Sequence, residues 1–204
     1  MGWERYIPED ISELYEVHDF KHAATILSND FPEQFNDICT ALREFRFRED
    51  DILAAGGNES NIPKLFSNIL RPKDWTEENL TAELVVYEGE KKKSPVIKHS
   101  FLHGSHKVDY VKGRVAFDLE WNSKDQTFDR DLYAFRAFFE YDAISLGVLV
   151  TRSIRLNDIF RKLNVLPKYG ASTTHMGKLL PRLDAGRNGG CPVLVFGITP
   201  GLLI

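Results

Sequence analysis

The sequence is poor in cysteine: only Cys39 and Cys191 occur among 204 residues. Two thiols make neither a disulfide framework nor a zinc site, so they read as small buried apolar side chains in a reducing compartment. No apolar run approaches the roughly 20 residues that span a bilayer. The opening Met1-Gly2-Trp3-Glu4-Arg5 lacks the basic flank and apolar stretch of a secretory leader. Gly2 also lacks the downstream Ser or Thr of a myristoylation signal. The expected location is therefore the cytoplasm. Internal repeats, low-complexity tracts and linker-like shifts of composition are missing as well, which excludes disordered-tail and collagen-like classes. Neither sign of charge dominates: 26 basic and 30 acidic side chains leave a net charge of -4, so the total gives no hint of a polyanionic partner.

What is present is enough apolar sequence, 43%, to bury a sizeable core. Residues 13–19 read as a short strand and 20–27 as a short helix. Pro32 opens a clearer helix, with Phe35, Ile38, Leu42 and Phe45 at i, i+3, i+7 and i+10. Gly56-Gly57-Asn58 breaks the pattern. Asn61 and Pro63 begin another helix, carrying Leu65, Phe66, Ile69 and Leu70 and stopped by Pro72. Residues 81–87 have strand bias, and 88–94, with Lys91, Lys92 and Lys93, form a polar loop. Two strands over 108–121 join through Lys112-Gly113 as a hairpin. A helix at 129–141 presents Leu132, Phe135 and Phe139 on one face, with Asp129 or Asp131 near its start. The nearly continuous apolar run 143–151 reads as a strand covered on both faces. Helices near 154–163 and 176–183, a polar 170–174 loop, the glycine-rich 186–190 segment and a buried strand at 192–199 complete the chain. The expectation is a single α/β domain over 1–204, with a central mixed β-sheet flanked by helices.

The hairpin carries the chemistry. Val115, Phe117, Leu119 and Trp121 alternate with Arg114, Ala116, Asp118 and Glu120, so period two puts Asp118 and Glu120 on one face. A turn near Lys112 brings Asp109 alongside them. Converging carboxylates repel unless neutralised, and a hard divalent cation with oxygen ligands neutralises them naturally. Mg²⁺ so held activates water and stabilises a leaving oxygen. The plainer alternative is the solvated face of a hairpin, with Arg114 as an ion-pair neighbour, and spacing alone favours it.

The run VDYVKGRVAFDLEWNSKD (108–125) resembles the active-site hairpin of the PD-(D/E)XK nucleases. Its continuation FDRDLYAFRAFFEYDAISLGVLVTRS, the stretches YGASTTHMGKLL and CPVLVFGITP, and more loosely ELYEVHDF, resemble the BglII/BstYI family of type II restriction endonucleases in the same order along the chain. That resemblance implies a restriction endonuclease-like fold and Mg²⁺-dependent hydrolysis of duplex DNA at a short palindrome with a GATC core. It makes Asp109 and Asp118 metal ligands, with the backbone carbonyl of Leu119 as a third. Glu120 departs from the pattern: the superfamily normally has Lys there, BglII and BstYI have Gln, and a BamHI-type site has Glu. A carboxylate at that position orients or deprotonates the attacking water, or binds a second metal. Glu83 or Glu88 is a candidate further acid.

Resolved along the chain, the charge is uneven. Residues 1–90 hold 8 basic and 20 acidic side chains, 91–147 hold 10 and 8, and 148–204 hold 8 and 2. The basic final third, with Arg152, Arg155 and Arg187 among its cations, suits phosphate contact over 152–191. Asn122, Lys124, Ser172, Thr173, Thr174 and His175 carry donor and acceptor patterns suited to base edges, although Ser172 or Thr173 equally suits an N-cap of the next helix. One active site cuts one strand, so a two-fold homodimer is expected on palindromic DNA. The 128–141 region is a candidate for its surface, set against plain core packing. The family further implies a cognate DNA methyltransferase. Rival readings are a repair or junction nuclease of the same superfamily, an inactive DNA-binding protein, and, more distantly, a glycosidase with paired carboxylates.

Overall fold

The computed structural model describes residues 2–54, 61–89 and 96–204. The Gly56-Gly57-Asn58 break and Lys91, Lys92 and Lys93 lie outside them. Among the described residues six strands form one sheet: β1 (Tyr15–Phe20), β2 (Thr76–Glu88), β3 (Val96–Lys112), β4 (Val115–Glu120), β5 (Leu146–Arg152) and β6 (Val193–Ile198). Their order is β1-β6-β5-β4-β3-β2. β4, β5 and β6 run parallel, while β1 is antiparallel to β6, and β3 to both β4 and β2. The sheet is mixed, as expected. Every residue of the three parallel strands is buried, which requires cover on both faces. Glu120 pairs with Thr151, and Arg152 with Ile198, so the C-terminal ends of these strands share one end of the sheet.

One face is covered by α1 (Ala23–Asp30), α2 (Pro32–Glu44) and α3 (Asn61–Leu70). Leu27, Ile38, Leu42, Ile62, Phe66 and Leu70 pack there with Phe117, Val148 and Phe196 from the sheet. The other face takes α4 (Thr127–Glu140) and α5 (Met176–Asp184), through Phe128, Leu132, Phe135, Phe138, Met176, Leu179 and Leu183. Each such apolar side chain contributes about 1.5–3 kcal/mol on burial. The phenylalanine stripe of α4 is therefore core, while Tyr133 and Tyr141 lie outside it, 41% and 39% exposed. α4 sits so close to β5 that a Cβ on Gly147 would lie 2.3 Å from the Phe135 ring. The helix expected at 154–163 is split into a 3-10 turn, Ile154–Leu156, and a helix, Asn157–Lys162.

β3 and β4 form the expected hairpin, its turn made by Gly113 and Arg114, one position later than expected. Gly113 takes the left-handed φ of +57° that glycine tolerates. The turn is fastened to α2. Lys112 Nζ lies 2.8 Å from Asp37 Oδ2 and 2.6 Å from Glu33 Oε1; Asp37 also accepts from Lys73 Nζ at 3.1 Å and Trp75 Nε1 at 3.2 Å. Beyond the hairpin, β2 and β3 continue as a long ribbon, paired from Thr76↔Val111 to Glu88↔Val96 with three register shifts. Its outer part is exposed on both faces: Leu84 is 50% exposed and Leu102 74%. β2 is the free edge and carries Glu77, Glu78, Glu83 and Glu88.

Candidate active site

On β4, Ala116 belongs to the core beneath α4 and α5, whereas Val115, Phe117 and Leu119 face the other core. Alternation therefore directs Asp118 and Glu120 to the α4 side, where they stand in positions an apolar side chain would otherwise fill. Asp118 is 2% exposed and Glu120 5%. The antiparallel register that pairs Tyr110 with Phe117 puts Asp109 opposite Asp118 one step further on. Asp109 is half exposed, and its Oδ1 lies 3.7 Å from Lys107 Nζ. Asp118 Oδ1 accepts from the backbone N–H of Leu119 at 2.9 Å.

The structure adds an acid that the sequence reading left as a helix-start residue. Asp131, on the inward side of α4 beside Phe128, Leu132 and Phe135, is 1% exposed. Arg130 binds it through Nε and Nη2, at 3.0 and 2.9 Å from Oδ1, and Nη2 also lies 3.5 Å from Glu120 Oε1. Glu120 Oε2 and Asp131 Oδ2 are both shut off from solvent, and the two carboxyls are hydrogen-bonded to each other, which requires a proton shared between them. The signal that would have found Asp131 is its spacing: three residues after Phe128 and four before Phe135, it occupies the helix's buried stripe.

Burial and mutual repulsion set the electrostatics. Burial drives the Asp118 carboxyl well above the usual carboxylate range, and the charges of Asp131, Asp109 and Glu120 push the same way. Burial, then the Asp131 charge, raises Glu120 to about 8, against a hydrogen bond with Ser123 and the Arg130 charge. Asp131 rises to about 6 through burial, opposed by Arg130. Among the described residues no three His, Cys, Asp or Glu side chains gather into one metal-binding group. The four acids act on one another as one group: Asp131, then Asp109 and Glu120, bear on Asp118, and Glu120 is hydrogen-bonded to Asp131. Mg²⁺ needs only one or two carboxylates beside its waters. A buried, oxygen-only set of mutually repelling carboxylates fits such an ion. Glu83 and Glu88 lie further out on the ribbon, since the β2 residue opposite Val108 is Glu78.

The polar residues expected to read DNA gather at the same end of the sheet, in two segments that pair. Lys124 and Thr173 form an antiparallel bridge, Asp125 N donates to Ser172 O, and Thr174 N donates to Ser123 O, the latter two at 2.9 Å. Lys124 and Ser172 are exposed, and Arg155 is exposed with no acidic partner among the described residues. Asn122 is half-buried, its Nδ2 3.4 Å from Lys168 O and its Oδ1 orphaned. Neither Ser172 nor Thr173 caps α5; His175 stands at that position and makes no side-chain cap. Burial, then the Arg152 and Lys178 cations, lower His175 to about 4, so it offers a neutral ring rather than a charge.

Two of the residues expected to contact DNA are buried. Arg152 is 1% exposed: its Nη2 donates to Tyr169 O at 3.0 Å and Thr173 Oγ1 at 2.6 Å, and its guanidinium lies over Phe160 and Tyr169. Burial lowers it to about 10. It braces the 169–173 loop from within. Thr174 is likewise fully buried, with an unpartnered Oγ1. The basic third is also less free than its count suggests. Arg187 pairs with Asp129, Arg182 with Asp125 and Asp129, and Lys178 Nζ lies 3.8 Å from Asp125.

No helix among the described residues is long and apolar enough to cross a membrane. Comparison with curated proteins finds no match. Comparison with protein families finds the one described as restriction endonuclease BglII/BglIII, which matches residues 15–198.

Proposed function

The chain belongs to the BglII/BglIII family of restriction endonucleases, and from that premise we propose that it hydrolyses duplex DNA at a short palindrome with a GATC core, using Mg²⁺ and leaving a 5′-phosphate. The family match, running unbroken through hairpin, α4 and the 169–175 loop, is the observation that carries this reading. Asp109, Asp118 and the carbonyl of Leu119 are the proposed metal ligands. When bound, the ion supplies an activated water and charge for the leaving oxygen.

The chain's own residues do the rest. Glu120, buried at the end of β4, would orient the attacking water and, in the ionised form that a neighbouring cation favours, take its proton. Burial around Asp118 and Glu120 keeps bulk water out and strengthens every charge interaction there. Lys124, Arg155, Ser172, Thr173 and His175, with Asn122 behind them, present the DNA-facing surface. Arg187 reaches phosphate in exchange for Asp129. Two copies act as a cytoplasmic homodimer on a two-fold site, beside a methyltransferase that protects the same sequence.

Plasmid digestion in Mg²⁺ with run-off sequencing of the ends tests this. The expected result is discrete fragments sharing one palindrome, abolished in Asp118→Asn. A ladder of random products, or nicking only at junctions, refutes it.

A further inference from the structure

We propose that Lys107 is a catalytic cation, its ammonium meeting a non-bridging oxygen of the phosphate that is cut. This rests on the reading of the β3–β4 hairpin as a centre of DNA hydrolysis and adds a residue that the sequence pattern did not single out. Charge gives the first reason. As the water oxygen bonds to phosphorus and its proton goes to Glu120, the phosphodiester's single negative charge becomes two, until the 3′ oxygen leaves with its electron pair. Asp109, Asp118, Glu120 and Asp131 already repel one another there, and they repel that developing charge as well. Stabilising it takes a cation held in place beforehand.

Two cations touch the acids, and their commitments differ. Arg130 donates from Nε and Nη2 to Asp131 Oδ1, on a carboxyl 1% exposed, and its Nη2 lies 3.5 Å from Glu120 Oε1. Its fork is spent on buried carboxyls that would otherwise lose their compensation. Lys107, two residues before Asp109 on β3, carries no such burden. Its Nζ lies 3.7 Å from Asp109 Oδ1 and 2.6 Å from Glu77 Oε2, and all three side chains are about half exposed. Ion pairs so exposed hold weakly, so a phosphate oxygen replaces either carboxylate at little cost. An ammonium also has three donors on a flexible stem, and two acceptors leave one for substrate. Contact with Asp109 puts that ammonium beside the proposed metal ligands, and Arg130 stands near enough for the two positive charges to oppose each other.

Single-turnover cleavage of the duplex identified by run-off sequencing tests this, with DNA affinity by fluorescence anisotropy and melting temperatures, both in EDTA, alongside. Lys107→Ala should cut about 100-fold more slowly while its affinity stays within about threefold of wild type, because the contact strengthens only in the transition state. Lys107→Arg should recover about tenfold of that loss, since it restores the charge with a different shape. If wild type cuts and Lys107→Ala cuts within about threefold of it, this inference falls and the hydrolysis reading stands. No Mg²⁺-dependent cut by wild type overturns both. A rate lost only in step with affinity makes Lys107 a ground-state phosphate anchor, and a lower melting temperature in both variants makes it structural; either overturns the proposal.

Discussion

Replacing Asp37 by Asn removes one charge and leaves the shape, at a point that fastens the β3–β4 hairpin to α2. Asp37 is 7% exposed and accepts from Lys112, Lys73 and Trp75. A hydrogen bond to a charged group is worth about 1.5–3 kcal/mol. The sum is discounted because Lys112 keeps Glu33 at 2.6 Å and Lys73 is partly solvated. A loss of roughly 2–3 kcal/mol remains, equivalent to about 4–12 °C in melting temperature for a chain of this size. Urea unfolding in EDTA measures it, as a shifted midpoint at unchanged slope. The sign with pH follows from linkage. Burial opposes ionisation of Asp37, but the Lys112, Lys73 and Trp75 hydrogen bonds outweigh it and hold the group below its ordinary 3.8. Its contribution is therefore complete above that value and is lost as pH falls through the lower folded value. The wild-type advantage should hold from neutral pH to about 5 and shrink below about 4. A loss under about 0.5 kcal/mol, or a difference that ignores pH down to 3, refutes the assignment of Asp37 as the hairpin's anchor.

Gly147→Ala forces a methyl into the Phe135 ring and should cost about 1–3 kcal/mol by overpacking, read as a lower urea midpoint. Asp118→Asn should remove Mg²⁺-dependent cleavage while leaving unfolding in EDTA no easier, because it relieves a buried, repelled charge; gel assay and urea titration together check it. Arg155→Ala should weaken DNA binding and reduce the slope of log affinity against log salt by about 0.9 for each copy, about 1.8 for the proposed dimer. Arg152→Leu should instead destabilise the fold, since its guanidinium is committed to Tyr169 O and Thr173 Oγ1; a melting temperature within a degree or so of wild type would refute the brace.

How much was legible depended on whether local pattern and tertiary environment agreed. The hairpin was legible because a glycine turn and period two are local signals, and Asp109 and Asp118 follow from its register. The extension of β3 back to Val96 was not. Val-Ile-Lys-His-Ser-Phe-Leu-His-Gly-Ser-His-Lys has no alternating apolar face, and a ribbon exposed on both sides has no core to impose one. The burial of Arg152 was not legible, because a cation at the end of an apolar run looks like the strand's emergence into water, whereas Tyr169, Phe160 and Thr173 close over it. Asp131 was hidden for the converse reason: acids in a first helical turn usually answer the helix dipole, and only the packing of α4 on β4 turns this one inward. The uneven charge was legible as a count, but the partners Asp125 and Asp129, which occupy three of the basic third's cations, belong to the middle of the chain.

The ribbon's outer strand, 13 residues long and paired with β3 on one side, has no strand on its other edge among the described residues, with Leu84 and Tyr87 exposed beside it. Such an edge templates strand-to-strand polymerisation unless something opposes it. Glu77, Glu78, Glu83 and Glu88 supply the opposition, since a second molecule arriving along that edge brings the same four acids. This protection is electrostatic and therefore screened, with a reach of about 8 Å at physiological ionic strength and about 3 Å in molar salt. Rising ionic strength therefore weakens this guard along the edge, just as it weakens electrostatic attraction to a phosphate backbone.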